Sequence, residues 1–174
     1  MTMIKWIIGI NASGKTVLLI EGYTACKKAG NKVISNIREN ENIPISQERL
    51  QLILSDDVIE NVFSYEEPMI VGDSIYLKAA FGRPYSKEFL NILSIVCLDG
   101  DYIFLDEPER GLTIREQNII GAVLKLVLPT YKGGIITTHS EEFFDVQPDN
   151  FYLCNNYQLS KIEGDRLHEF IAKF

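Results

Sequence analysis

Residues 9–16 read Gly-Ile-Asn-Ala-Ser-Gly-Lys-Thr and fit the pattern G-x-x-x-x-G-K-S/T at every fixed position. A short apolar stretch, Ile4 to Ile10, precedes the pattern, and good helix formers interleaved with apolar residues follow it from Thr16 to Ala29. Gly9 and Gly14 allow the backbone angles that turn consecutive N–H groups inward around an anion, and a helix N-terminus adds its positive dipole end. The stretch therefore predicts a strand, a phosphate-binding loop and a helix in succession.

The residues of this loop have expected tasks in holding ATP. The Lys15 ammonium would lie against the β- and γ-phosphates, and the Thr16 hydroxyl would be a ligand of Mg²⁺. A chance Gly-Lys turn is the alternative, and the strand before the motif and the helix after it count against that interpretation. The predicted contacts to ATP within the loop are Gly9, Asn11, Ala12, Ser13, Gly14, Lys15 and Thr16.

Two adjacent acids follow a second buried strand, Tyr102 to Leu105, in the sequence Asp106-Glu107-Pro108. In a doubly wound sheet, ligands lie at the carboxyl ends of the strands, so these carboxylates are expected beside the phosphate loop. Asp106 would hold Mg²⁺, and Glu107 would orient and deprotonate the water that attacks the γ-phosphate. The alternative is an Asp-Glu-Pro turn that carries no chemistry.

A lone histidine, His139, follows a third short apolar strand, Gly134 to Thr138. Its position at a strand end predicts a side chain that contacts the γ-phosphate and senses its loss. We therefore group it with Lys15 and Glu107 as catalytic. An isolated histidine is otherwise more often a structural residue, and the position after the strand is what favours the functional interpretation.

The pattern of elements predicts a single α/β domain over residues 1–174, with the fold of a P-loop NTPase and a mostly parallel central sheet flanked by helices. Further helices are expected over Gln47 to Leu54, from Ser86 onward and over Ile114 to Leu128. The tail predicts two paired strands around residues 155 and 156 and hence an antiparallel sheet edge.

The stretch from Glu39 to Arg83 is the least regular part of the sequence. Apolar residues favour strands around Val58 to Tyr65 and around Met69 to Leu77. The acids of this stretch, including Glu66 and Glu67, have no partner motif and are expected to be solvated.

The composition excludes several classes of protein. A net charge of −7 and a pI near 4.9 disfavour a general grip on nucleic acid. No apolar run is long enough to span a bilayer, and the N-terminus lacks the features of a secretory signal, so the sequence predicts a cytoplasmic protein. Cys26, Cys97 and Cys154 lie far apart among apolar residues, which favours buried thiols over a disulfide or a metal site.

Three motifs, in this order, resemble those of the ABC-type ATPase superfamily: residues 9–16, residues 105–112 (Leu-Asp-Glu-Pro-Glu-Arg-Gly-Leu) and residues 137–140 (Thr-Thr-His-Ser). They are most similar to the soluble ATPases of DNA repair, chromosome organisation and prokaryotic defence. The resemblance implies an ABC-like core in which Asp106 is the second magnesium residue, Glu107 the base and His139 the switch residue. It also implies a nucleotide-dependent homodimer that clamps ATP between two copies.

The signature loop of that superfamily, a Leu-Ser-Gly-Gly-Gln type sequence before a helix, corresponds to residues 85–89, Tyr-Ser-Lys-Glu-Phe. The serine is present and the glycines are absent. Two roles are therefore open for Ser86, a contact to the γ-phosphate bound by a partner subunit or a plain helix N-cap. The aspartate that follows Gly-Leu in the superfamily is Thr113 here, which weakens the hydrogen bonds expected between two copies.

Three functions compete on these observations. The leading one is Mg²⁺-dependent ATP hydrolysis that drives or times assembly with a partner protein, in DNA maintenance or defence. The degenerate signature loop also fits a nucleotide-gated interaction module with negligible turnover. Residues 32–37, Lys-Val-Ile-Ser-Asn-Ile, resemble the second strand of the zonular-occludens-toxin-like phage assembly ATPases, and a packaging-type motor is therefore the third alternative. The sequence leaves the choice between ATP and GTP open.

Overall fold

The computed structural model describes residues 3–10, 13–40, 42–78 and 84–173. Its strands are β1 (Met3–Ile8), β2 (Val33–Ser35), β3 (Met69–Val71), β4 (Ser74–Tyr76), β5 (Tyr102–Asp106), β6 (Gly133–Thr137), β7 (Phe151–Asn155) and β8 (Gln158–Lys161). Its α-helices are α1 (Lys15–Lys28), α2 (Gln47–Ile53), α3 (Asp56–Asn61), α4 (Lys87–Val96) and α5 (Ile114–Val127). Short 3₁₀ helices cover Leu128–Thr130, Glu141–Phe143, Pro148–Asn150 and Gly164–Lys173. Across these described residues, no helix has the length and apolar character needed to span a bilayer.

Six strands form the central sheet in the order β2-β5-β6-β1-β7-β8. The first five are parallel, and β8 alone runs antiparallel, against β7. This arrangement confirms the predicted α/β fold with a mostly parallel sheet and an antiparallel edge. Because β1, β5 and β6 are parallel, the segments that follow them all leave the same end of the sheet.

Helices cover both faces of this sheet. On one face, Leu19 and Tyr23 of α1 pack with Phe104 of β5. On the other face, α2, α4 and α5 enclose the larger core, to which Leu105 of the same strand contributes, so neighbouring residues of β5 serve opposite faces. Trp6 of β1 is fully buried in the larger core.

The region that was least regular in sequence contains helix α3 and a β3–β4 hairpin. The prediction of a strand around Val58 to Tyr65 is wrong, because residues 56–61 are helical. The Ser55 side chain caps this helix, and two aspartates in its first turn interact favourably with the helix dipole. The single strand expected over Met69 to Leu77 is divided by a turn at Gly72, which has a φ of 63°.

Candidate functional site

The phosphate-loop motif lies between the end of β1 and the start of α1, beside the turn after β7. A Cβ on Gly9 would lie 2.6 Å from the carbonyl oxygen of Cys154, so the close approach of the two segments requires glycine there. Gly14 has a φ of 101° and is the N-cap of α1. The helix therefore begins with its unpaired N–H groups at the loop, which is the arrangement that favours an anion.

The Lys15 ammonium folds back onto this loop. It donates hydrogen bonds to the carbonyl oxygens of Gly9, at 2.8 Å, and Ile10, at 3.1 Å. Burial lowers the pKa of Lys15, and the nearby negative charge of Glu107 opposes that shift. A phosphate group in the loop would compete with the two carbonyl oxygens for the ammonium.

The remaining loop positions give a partial test of fit to phosphate. The Ser13 hydroxyl is buried and has no hydrogen-bond partner among the described residues. A buried polar group without a partner is costly, and an anionic oxygen is a suitable acceptor for this hydroxyl. Asn11 and Ala12, which were also predicted to contact ATP, lie outside the described residues.

Thr16 and Asp106 approach each other across the end of β6. The Thr16 hydroxyl lies 3.3 and 3.4 Å from the two carboxylate oxygens of Asp106. The Thr137 hydroxyl, at the end of β6, donates to Asp106 Oδ1 at 2.6 Å. The structure thus brings together the two residues predicted to hold Mg²⁺, and their role as metal ligands stays a prediction.

The donor set suits a hard cation. Thr16 and Asp106 offer hydroxyl and carboxylate oxygens, which Mg²⁺ prefers, and Mg²⁺ is usually held by one or two carboxylates together with substrate phosphates. Within the described ranges, no cluster of three or more His, Cys, Asp or Glu side chains is arranged to hold a metal ion. A metal at this position would therefore depend on oxygens that a nucleotide supplies.

The backbone of Asp106 is fixed by Asn36, which follows β2. The Asn36 side chain accepts a hydrogen bond from the Asp106 N–H at 2.7 Å and donates one to the Asp106 carbonyl oxygen at 2.9 Å. These two bonds extend the pairing between β2 and β5 beyond the last residue of β2. Asn36 therefore positions the end of the acidic strand.

Glu107 has a left-handed backbone conformation, with a φ of 45°. Such a conformation is uncommon for a residue other than glycine and costs on the order of 1 kcal/mol or more. It is held in place because the Glu107 N–H donates to both the carbonyl and the hydroxyl oxygen of Thr137, each at 3.0 Å. Strain of this kind is common at functional sites.

The Glu107 carboxylate contacts two basic side chains. Its Oε1 lies 2.6 Å from Nε2 of His139, and its Oε2 accepts a hydrogen bond from the Arg110 guanidinium. Burial alone would raise the pKa of Glu107, but the Arg110 hydrogen bond and the charges of His139, Arg110 and Lys15 outweigh burial and lower it. The carboxylate is therefore ionised at neutral pH. The structure places Glu107 and His139 in direct contact, and their catalytic roles stay predictions.

Glu109 supports the segment that carries His139. Its two carboxylate oxygens accept hydrogen bonds from the Thr138 hydroxyl, at 2.9 Å, and from the His139 N–H, at 2.7 Å. Burial raises the pKa of Glu109, and these two donors oppose the shift. Glu109 lay within a quoted motif but had no predicted task, and the structure shows that it fixes the backbone of the histidine.

Ser86 is tied to the start of α5. Its hydroxyl accepts from the Phe89 N–H at 3.1 Å, which makes it the N-cap of α4, and donates to Glu116 Oε2 at 3.0 Å. Glu116 is buried and forms the capping box of α5 with Thr113. The N-cap role of Ser86 is therefore confirmed, whereas its contact with ATP bound by a partner subunit stays a prediction.

Comparisons with known proteins bear on the fold. No protein-family model matches the chain, and no curated protein matches it. In structure, the chain is similar to a crystal structure whose name is that of a cobalt transport ATP-binding protein, cbiO-2. The similarity has a TM-score of 0.58 and covers 95% of this chain and 70% of that chain, at 16% sequence identity. The protein has an ABC-like P-loop NTPase fold.

Several residues of this site were not predicted from the sequence. Thr137, Glu109 and Arg110 lie within the quoted motifs, so their proximity to a predicted residue was the available signal. The Arg110 side chain is 72% exposed, yet its guanidinium pairs with Glu107. Asn36 carried no such signal, because its contact with Asp106 spans 70 residues and depends on the pairing of β2 with β5.

Proposed function

We propose that this protein binds ATP with Mg²⁺ and hydrolyses the γ-phosphate. The observation that carries the proposal is the approach of the Thr16 hydroxyl to within 3.3 Å of the Asp106 carboxylate, beside a Glu107 carboxylate that contacts His139. A helix N-terminus, a lysine, two oxygen donors for a metal and a paired acid lie at one end of a parallel sheet. This set matches the requirements of phosphoryl transfer to water.

In the proposed mechanism, the loop binds the phosphate chain before any chemistry occurs. The Lys15 ammonium exchanges its hydrogen bonds to the Gly9 and Ile10 carbonyl oxygens for bonds to phosphate oxygens. Thr16 and Asp106 would hold Mg²⁺, and Thr137 orients the carboxylate of Asp106 through the 2.6 Å hydrogen bond between them. When bound, Mg²⁺ would supply positive charge that neutralises the charge developing on the phosphates.

Glu107 acts as the base that orients and deprotonates the attacking water. Its lowered pKa keeps the carboxylate ionised, but a carboxylate bound by two basic side chains is a weaker proton acceptor. Water must therefore replace one of these two contacts before Glu107 can accept a proton. His139, whose backbone is fixed by Glu109, donates to the γ-phosphate once water has replaced its own contact with Glu107.

Binding and turnover of Lys15→Ala and Glu107→Gln test this proposal. Lys15→Ala should abolish measurable binding of MgATP in calorimetry. Glu107→Gln should bind MgATP with near wild-type affinity and release phosphate about 10²- to 10⁴-fold more slowly, the usual effect of removing a general base. Glu169→Gln, which removes an acid of the exposed Arg166–Glu169 pair, is the matched control and should behave as wild type. Absence of MgATP binding by the wild-type protein would contradict the whole proposal.

The same experiment separates hydrolysis from nucleotide gating. Equal and negligible phosphate release by wild type and Glu107→Gln, with intact binding of MgATP, would identify an interaction module in place of an enzyme. One observation favours such a module. In the protein without a partner, the Glu107 carboxylate is already bound by His139 and Arg110 and is therefore not available to water.

We further propose a nucleotide-dependent homodimer, or a complex with a partner protein, in the cytoplasm. This proposal is supported by the motif resemblance, which also favours DNA maintenance or defence. Light scattering of Glu107→Gln with and without MgATP tests it, and dimers that form only with nucleotide are the expected result. A hexamer would instead favour the phage assembly type of motor.

A further inference from the structure

Tyr157 lies at the tip of the β7–β8 hairpin in a backbone conformation that favours glycine. Asn155 pairs with Gln158, and the two residues between them, Asn156 and Tyr157, have φ values of 51° and 65°. Two positive φ angles define a type I′ turn, in which the second position is most often glycine. A bulky aromatic residue there is strained, and strain that a sequence retains is a reason to look for a function.

The Tyr157 ring rests on the phosphate loop. The position that a Cβ on Gly14 would take lies 2.5 Å from Cδ1, 2.9 Å from Cε1 and 3.0 Å from Cγ of the ring. These similar distances to three consecutive ring atoms place the face of the ring over Gly14, because an approach from the ring edge would leave the two flanking atoms much farther than the nearest one. The missing Cβ of Gly14 is what allows this contact.

The hairpin is anchored to the loop at a second point. The Tyr157 N–H donates to the Ser13 carbonyl oxygen at 2.9 Å, and the Cys154 thiol donates to the same oxygen at 3.2 Å. Strand β7 also pairs directly with β1, which leads into the loop. The ring therefore has a fixed position relative to the loop.

The other side of the ring is open. Tyr157 is 57% exposed, although one face rests on Gly14, so a large part of its aromatic surface faces solvent. A rigidly supported aromatic face with an accessible opposite side is a platform for stacking a flat π-system. The base of a nucleotide is a flat π-system. When the phosphates lie at the N-terminus of α1, the base is no farther from Gly14 than the length of the nucleotide.

We infer that Tyr157 stacks on the base of the bound nucleotide and supplies the base-binding contact that the motifs do not assign. This inference rests on the proposed function, because it takes the phosphates to lie in the loop that ends with Lys15 and Thr16. Stacking is tolerant of base identity, since every base has a π-face. The Tyr157 contact therefore strengthens the binding of ATP and GTP to similar extents.

The test compares nucleotides with a ligand that lacks a base. Calorimetry measures the affinities of MgATP, MgGTP and magnesium tripolyphosphate for wild type, Tyr157→Phe and Tyr157→Gly. The glycine variant removes the ring and relieves the strained φ, so it retains the hairpin. The phenylalanine variant keeps the ring and removes only the hydroxyl.

Tyr157→Gly should bind MgATP and MgGTP roughly 5- to 150-fold more weakly than wild type, the range expected for loss of one aromatic–base stack. Its affinity for magnesium tripolyphosphate should be unchanged, and Tyr157→Phe should match wild type for all three ligands. An equal loss for tripolyphosphate would overturn the inference, because Tyr157 would then shape the loop and not contact the base. Unchanged nucleotide affinity in Tyr157→Gly would overturn it too, while leaving ATP binding by the loop intact. Failure of the wild type to bind any of the three ligands would instead refute the proposed function and this inference together.

Discussion

Replacing Glu116 by alanine is expected to destabilise the fold by about 2–4 kcal/mol, because one buried carboxylate fixes the starts of two helices. Its Oε2 accepts from the Ser86 N–H, at 2.9 Å, and from the Ser86 hydroxyl, at 3.0 Å. Its Oε1 accepts from the Thr113 N–H at 3.0 Å. Hydrogen bonds to a charged group contribute about 1.5–3 kcal/mol each, and partial access of water to the donors reduces the sum to the stated range.

Urea denaturation followed by circular dichroism measures this effect. With a denaturant slope of about 2 kcal/mol per molar, the expected loss lowers the unfolding midpoint by about 1–2 M. Glu116→Gln is the matched variant, because its single carbonyl oxygen can serve only one side of the site, and it should lose about half as much. A midpoint for Glu116→Ala equal to that of wild type would show that the three bonds do not stabilise the fold.

The contribution of Glu116 should also depend on pH. Burial would raise the pKa of this carboxyl, but the hydrogen bonds from Thr113 and Ser86 outweigh burial and lower the pKa from its ordinary value of 4.5. A pKa that is lower in the folded state stabilises the fold at pH values above 4.5, and the stabilisation is lost as the pH falls through the folded pKa. The difference in unfolding free energy between wild type and Glu116→Gln should therefore be full at neutral pH and shrink in acid. A difference that is independent of pH would contradict the assignment of ionised Glu116 as the acceptor.

Two further predictions concern the sheet and the acid of the site. Gly134→Ala should cost more than about 3 kcal/mol in thermal unfolding, because the new Cβ would lie 1.8 Å from the Ile103 carbonyl oxygen inside the β5–β6 pair. Gly30→Ala is the control, because the new Cβ there would have no atom within 4 Å. It should cost only about 1–2 kcal/mol, which is the cost of a left-handed backbone with a φ of 86°. Arg110→Ala should raise the pKa of Glu107, and the acidic limb of the kcat/KM profile for phosphate release should move to higher pH. An unmoved limb would show that Glu107 is not the base.

The parts of the site that could be predicted from the sequence are those in which local pattern and chemistry coincide. The loop of residues 9–16 needs particular residues at fixed spacing, and its flanking strand and helix are adjacent in the chain. The acids after β5 and the histidine after β6 follow from the rule that ligands lie at the carboxyl ends of parallel strands. In each case a few neighbouring residues determine the position of the side chain.

The parts that could not be predicted depend on strand order and on contacts between distant segments. The sequence did not show that β6 lies between β1 and β5, and this order is what places the Thr137 hydroxyl against Asp106. Glu66 had been expected to be solvated, yet it is buried and lies 3.9 Å from Arg115. The run around Val58 was assigned to a strand because a short apolar segment leaves the helical and extended periods ambiguous.

The contacts of Lys15 and Glu107 suggest what limits the proposed reaction. Lys15 donates to carbonyl oxygens of its own loop, and Glu107 is bound by His139 and Arg110, so both charged groups are engaged within the chain. Phosphate provides a stronger acceptor for Lys15, because its oxygens carry negative charge and attract the ammonium, whereas the two carbonyl oxygens are neutral. Glu107 gains no such replacement from the nucleotide, since both are anionic. Release of Glu107 from one of these two side chains, and not the binding of ATP, is therefore the step at which turnover of the proposed ATPase would be controlled.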